Sequence, residues 1–129
     1  MVKKFVKNDK KYWEFIRQLR NHPDVKKGFI EQEHIDRFDH TLYMQRLGSH
    51  FYVCLVDGQP AGYTGVIEND IRVATHPDFQ GKGVGKFMIE SLMEAHPLSF
   101  AKVKIDNEAS LRLFEGCGFK RRYYILERE

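Results

Sequence analysis

The stretch His76-Pro77-Asp78-Phe79-Gln80-Gly81-Lys82-Gly83-Val84-Gly85-Lys86 decides how the rest of the chain is read. An apolar run, Ile71 to Thr75, leads into it, and Val84, Met88, Ile89, Leu92 and Met93 lead out at helical spacing. That pattern is a strand, a tight glycine loop and a helix. Glycines at 81, 83 and 85 let the backbone turn sharply and leave N–H groups uncovered. A helix start adds unpaired donors and a partial positive charge at the same place, so the loop suits a phosphate.

Spacing separates the competing phosphate motifs. A Walker A loop with Gly85-Lys86 as its GK pair needs Gly at 80 and Ser or Thr at 87, and the chain has Gln80 and Phe87. A dinucleotide fingerprint needs Gly at 86 or 88, where Lys86 and Met88 stand. What remains is Gln80-x-x-Gly83-x-Gly85, which resembles the acetyl-CoA pyrophosphate loop of the GNAT superfamily of N-acetyltransferases. The competing reading is a glycine turn with no ligand.

Outward from the loop, residues 2–7 read as a first edge strand, and Asn8 or Asp9 caps a helix running to Arg20, with Tyr12, Trp13, Phe15, Ile16 and Leu19 on one face. Pro23 ends it. A second helix is expected over Glu33–Leu47, with Ile35, Phe38, Leu42 and Met44 or Leu47 inward, stopping at Gly48. His50–Val56, Tyr63–Ile67 and Ile71–Thr75 form a meander with turns at Asp57-Gly58 and Asn69-Asp70. After the loop helix, Ala101, Val103 and Ile105 read as another strand, Asp106 or Asn107 caps a short helix through Glu115, and Phe119–Glu127 reads as a closing strand.

A second motif, Asn107-Glu108-Ala109-Ser110-Leu111-Arg112-Leu113-Phe114 followed by Gly118-Phe119, is similar to the superfamily's N-x-x-S-x-x-x-Y-x-x-x-G-F segment. The resemblance implies an α/β GNAT fold. Its mixed, mostly antiparallel central sheet of about six to seven strands would be flanked by about four helices, in one domain over residues 1–129. It implies acetyl-CoA as co-substrate, held by Val73, Ala74 and Thr75 on the strand, by Gln80, Gly81, Lys82, Gly83, Val84, Gly85 and Lys86 in the loop, and by Asn107 and Ser110. The Val73 N–H would polarise the acetyl carbonyl. Glu68 and Asp70 are the candidate bases, against a plain turn as the alternative. Phe114 stands where the family's motif has a proton-donating tyrosine, so that role does not transfer. Tyr123 and Tyr124 are distant substitutes, and His76 is read as positional.

Arg20-Asn21-His22-Pro23-Asp24-Val25 resembles the R-N-x-P-x-V opening of a GNAT branch whose members act on nucleotide-linked amino sugars or on ribosomal-protein N-termini, which makes Asn21 and His22 candidate substrate contacts. The acceptor expected is a small-molecule amine such as an amino sugar. The alternatives are a protein N-terminus or lysine, or a module that binds acyl-CoA without turnover. His34 and His40, six apart, do not share a helix face, and no metal site is expected.

Composition bounds these readings. With 42% apolar and 30% charged residues over 129, the chain is an ordinary globular length and mixture. A charge of +3, spread along the chain, favours anionic ligands without making a nucleic-acid surface. Two dissimilar cysteines, Cys54 and Cys117, argue against a disulfide framework and for a reducing, cytoplasmic setting. The start Met1-Val2-Lys3-Lys4-Phe5 lacks a signal peptide's apolar stretch, and no membrane contact is expected. A homodimer is left open.

Overall fold

The computed structural model describes residues 1–129. Its elements are β1 (Lys3–Lys7), α1 (Trp13–Asn21), α2 (Pro23–Lys26), α3 (Arg37–Leu47), β2 (Phe51–Val56), β3 (Gln59–Ile67), β4 (Asp70–Thr75), α4 (Val84–Ala95) and α5 (Glu108–Gly116). The strands form one antiparallel sheet in the order β1-β2-β3-β4. Two-residue turns join the last three, with positive φ at Asp57 and Gly58 and at Glu68 and Asn69, as the twist of tight hairpins demands. The second turn lies one residue earlier than the sequence suggests, which puts Glu68 at its tip.

Strand alternation splits the core between two faces. Phe51, Val53, Tyr63 and Ala74 pack under Ile16 and Leu19 of α1 and Met44 of α3. Cys54, Val56, Ala61, Val66 and Ile71 face the other way, against Val84, Met88, Ile89 and Leu92 of α4 and Phe114 of α5. Between Cys54 and Leu55 the β2–β3 register shifts, leaving Ala61 as the extra residue on β3. The Ala61 carbonyl accepts from the His76 N–H at 2.8 Å, which fixes where the glycine loop begins.

Three expectations need correction. The sheet has four strands rather than six or seven, and five helices rather than four flank it. The run Ala101–Ile105 joins β4 only at its start, where Asp70 and Phe100 form a single parallel bridge, and then departs. Ala101 and Val103 still pack with the α4–α5 cluster, so burial draws the segment toward α5 instead of along the strand. The segment after Phe119 has β-forming residues but no neighbouring strand: Tyr123, Tyr124, Ile125 and Leu126 are 68–92% exposed. The third correction concerns α3. It starts at Arg37, with Asp36 capping through a 2.8 Å bond from the Asp39 N–H. It buries His40 and Met44, while Phe38 and Leu42 are exposed.

No helix is long and apolar enough to cross a membrane.

Candidate functional site

Where the 101–107 segment leaves β4, a cleft of about 1440 Å³ opens. One wall is β4 and the loop from Gln80 to Lys86; the other is Lys102 to Leu113. The Ile71 N–H points outward from β4, donating to the Phe100 carbonyl at 2.9 Å. Alternate residues of a strand aim their backbone groups the same way. The N–H groups of Val73 and Thr75 therefore face the cleft, beyond the last point where anything pairs with that edge.

At the end of β4 the loop turns into α4. Gly81 and Gly83 have φ of +77° and +75°, and Gly83 is the N-cap of α4. A residue with a β-carbon adopts that region at a cost, and a β-branched one rarely adopts it. Gly85 serves a different need: a β-carbon there would lie 3.2 Å and 3.3 Å from the Leu113 methyls, so its absence lets α4 approach α5. The opening N–H groups of α4 carry the helix's partial positive charge, and the Lys3 ammonium lies beside Gly83. Of the residues expected to hold the cofactor, all but Lys82 line the cleft; Lys82 turns back over the Phe79 ring, 5.6 Å from its centre. Lys86 lies 3.7 Å from Glu90.

Asn107 caps α5 by accepting from the Ser110 N–H at 3.1 Å, and its Nδ2 donates across the cleft to the Gly28 carbonyl at 3.1 Å. Lys104 reaches the Lys27 carbonyl at 3.5 Å beside it. The loop after α2 thus straps the mouth of the cleft.

The remaining candidates separate. Asp70 lines the cleft and is shared by Arg72 at 3.6 Å and Lys102 at 3.7 Å. Glu68, exposed on the hairpin tip, does not reach the cleft. Both amide groups of Asn21 are engaged with Ile35, donating to its carbonyl at 2.7 Å and accepting from its N–H at 2.8 Å, so Asn21 ties the 30–36 loop to α1. His22 packs edge-on to His76, ring centres 5.9 Å apart, in a separate cavity of about 280 Å³. Each of these two histidines accepts, through Nδ1, an N–H from the aspartate of its own His-Pro-Asp turn.

The other end of the cleft is lined by Arg20, which opens the Arg20–Val25 motif, and by Tyr43 and Tyr63, which no motif marks. His40, 2% exposed beneath α1, brings its Nε2 within 2.8 Å of the Trp13 carbonyl. A carbonyl only accepts, so Nε2 carries the proton and Nδ1 is left to accept from Arg20 Nη1 at 3.2 Å. The Arg20 guanidinium stacks 4.6 Å from the Tyr43 ring centre. Burial holds His40 below the usual histidine range, against the Trp13 hydrogen bond, with Arg20 and Arg17 lowering it further. Burial pushes the Tyr63 phenol up, opposed by Arg20 and Arg72. Two sequence signals fall on Arg20: it opens the Arg20–Val25 motif, and its spacing puts it on the face of α1 that carries Ile16 and Leu19.

A splayed strand edge, a left-handed glycine loop and a helix start thus meet on one cleft of an α/β scaffold. The sequence matches the profile of the Acetyltransferase (GNAT) family over residues 12–119, and the chain belongs to that family. Among curated protein sequences none matches it. Solved structures that share the fold at low identity include three acetyltransferases. Spermidine N-acetyltransferase from Vibrio cholerae, in complex with CoA and spermine, superposes with a TM-score of 0.83 at 19% identity, covering 98% of this chain and 85% of that one. The acetyltransferase yncA from Salmonella typhimurium, with acetyl-CoA, gives 0.76 at 20%, covering 93% and 80%. An aminoglycoside acetyltransferase in complex with coenzyme A gives 0.74 at 16%, covering 94% and 86%.

Proposed function

We propose that this acetyltransferase moves the acetyl group of acetyl-CoA to the primary amine of a small molecule, with an amino sugar as the preferred class. The observation that carries the reading is the cleft itself, which has outward N–H groups at Val73 and Thr75, the loop donors at its end and a strap from Gly28 to Asn107. The strap from Gly28 to Asn107 narrows the cleft and favours a compact acceptor. The donor set fits the cofactor: backbone N–H groups and a helix start for phosphates, and a strand edge for an amide-bearing arm.

Acetyl-CoA supplies a thioester, whose acyl carbon the amine takes over as an amide while the sulfur departs as a thiolate and the nitrogen's proton passes to water. The Val73 N–H is the donor assigned to the carbonyl oxygen. Asp70, held between two cations, and Glu68, out in solvent, are poorly placed to act as bases, so the acceptor must be uncharged on its own. That is feasible for an amine of pKa near 7.7–8.0, of which about one molecule in six to ten is neutral at pH 7, but not for one near 10.4, with about one in 2,500. Phe114 packs on Phe119, ring centres 5.2 Å apart, and has no proton to give. None is needed, since a thiol of pKa about 8.5 is a stable thiolate close to neutrality.

The test is thiol release and product mass with acetyl-CoA against panels of amino sugars, other small amines and peptides. Amino sugars should be consumed fastest, with a rate that rises along the acceptor's own titration. Asp70→Asn and Glu68→Gln should each cost less than about 10²-fold. Faster turnover of peptide N-termini, or a thousandfold loss in either variant with acetyl-CoA still bound, would overturn this reading.

A further inference from the structure

At the acceptor end of the cleft a cation is held in place without a counter-ion. Arg20 makes no ion pair within 4 Å; its partners are the neutral Nδ1 of buried His40 and the face of Tyr43. A guanidinium that is stacked and hydrogen-bonded on one edge keeps its remaining N–H groups in a fixed plane, the arrangement suited to two-point contact with a carboxylate or phosphate. The next cation is Arg72. It projects from the face of β4 that also carries Ala74, and it shares Asp70 with Lys102, so two basic side chains face one carboxylate.

Tyr63 lines the same cleft as the two arginines, paired across the sheet with Ala74 and so one step from Val73. The residue is 4% exposed and its hydroxyl makes no hydrogen bond within the protein. It is not among the fully enclosed oxygens without a partner, which are Asn8 Oδ1 and Ser99 Oγ, and its ring lines the cleft. A buried phenol with a free hydroxyl opening on a ligand-sized space is a donor waiting for a partner. Asp24, Glu31 and Glu33 also reach the cleft, but from exposed positions on the strap side.

We infer that the acceptor is an amine whose own molecule carries an anionic group, a carboxylate or a phosphate, seated on Arg20 and Arg72 with the Tyr63 hydroxyl donating to it. This rests on the N-acetyl transfer proposed above and narrows its substrate. It also sets the chain apart from its structural neighbours, one of which holds spermine, a polycation that two arginines at this position would repel.

The test uses acceptors matched in all but the anion: glucosamine against glucosamine 6-phosphate and against a uridine-diphosphate-linked amino sugar, and an amino acid against its amide, with spermidine as the polycation. The three anionic members separate a sugar phosphate, a nucleotide phosphate and a carboxylate as the source of the charge. At least one anionic member should exceed its uncharged partner in kcat/KM by about 10- to 100-fold, the worth of a charge-assisted hydrogen bond. Arg20→Gln should erase that ratio mainly through KM, Arg20→Lys should restore part of it, and Tyr63→Phe should reduce it. Acetyl-CoA affinity by calorimetry, unchanged in all three variants, shows that the fold is intact. Turnover of spermidine or the uncharged partners as fast as the anionic ones, or an equal loss for both members of a pair in Arg20→Gln, overturns the inference and leaves N-acetyl transfer standing. A protein that binds acetyl-CoA and acetylates no amine overturns both.

Discussion

Protonating His40 removes the lone pair that Arg20 leans on and places two cations side by side. The folded chain keeps this imidazole neutral because burial lowers its proton affinity. The unfolded chain, with a histidine near 6.5, takes up the proton first. Its contribution to stability is therefore complete above about pH 6.5 and lost as pH falls toward the lower folded value. Urea unfolding at about pH 7.5 and about pH 5.5 should give a lower midpoint in acid, and His40→Gln should shrink the difference. Arg20 loses its support over the same window, so KM for the acceptor should climb in acid more steeply in the wild type than in His40→Gln. An identical pH slope in the two proteins would show that another group is responsible. The sequence could not reveal this site, because His40 reads as a surface residue until α3 is rotated onto Trp13, and the α3 side chains that look apolar, Phe38 and Leu42, face solvent.

Among the elements, the strand-loop-helix unit was legible because its requirements are local. A left-handed backbone at 81 and 83 needs glycine wherever the rest of the chain goes. Gly85 is different, since its reason is Leu113, on another helix. The two loop glycines should fail differently. Gly83→Val opposes the backbone itself and should abolish acetyl-CoA binding by calorimetry. Gly85→Ala should keep weakened binding, because the contact it creates is with the movable end of a leucine, and should register mainly as a lowered melting temperature. Equal affinity for wild type and Gly83→Val would remove the loop from the cofactor site. The strands expected at Ala101–Ile105 and Phe119–Glu127 show the limit of such reading. Composition marks a segment as able to form β structure, but a strand exists only beside another, and the splay at Phe100 and the exposed end were settled by packing against α5.

Over the whole molecule, the cleft lies between the β4 edge and the segment from Lys102 through α5. The two sides are joined at the Asp70–Phe100 bridge, the Asp70–Lys102 ion pair, the Asn107–Gly28 and Lys104–Lys27 bonds, the Gly85–Leu113 approach and the shared cluster around Phe114. A ligand that contacts the β4 edge, the α4 start and Asn107 together adds links that exist only in the folded state. Acetyl-CoA at a hundredfold excess over its Kd should then stabilise the protein by about 2.7 kcal/mol, which for a chain of this length raises Tm by about 10 °C. Pantetheine, which lacks the phosphates, can meet the strand edge but not the glycine loop, and should give a smaller rise at equal concentration. Gly83→Val, which should abolish binding by calorimetry, should abolish the coenzyme A response as well. If pantetheine and coenzyme A raise Tm equally in the wild type, the loop donors do not hold phosphate, and the positive end of α4 has to be assigned to another ligand.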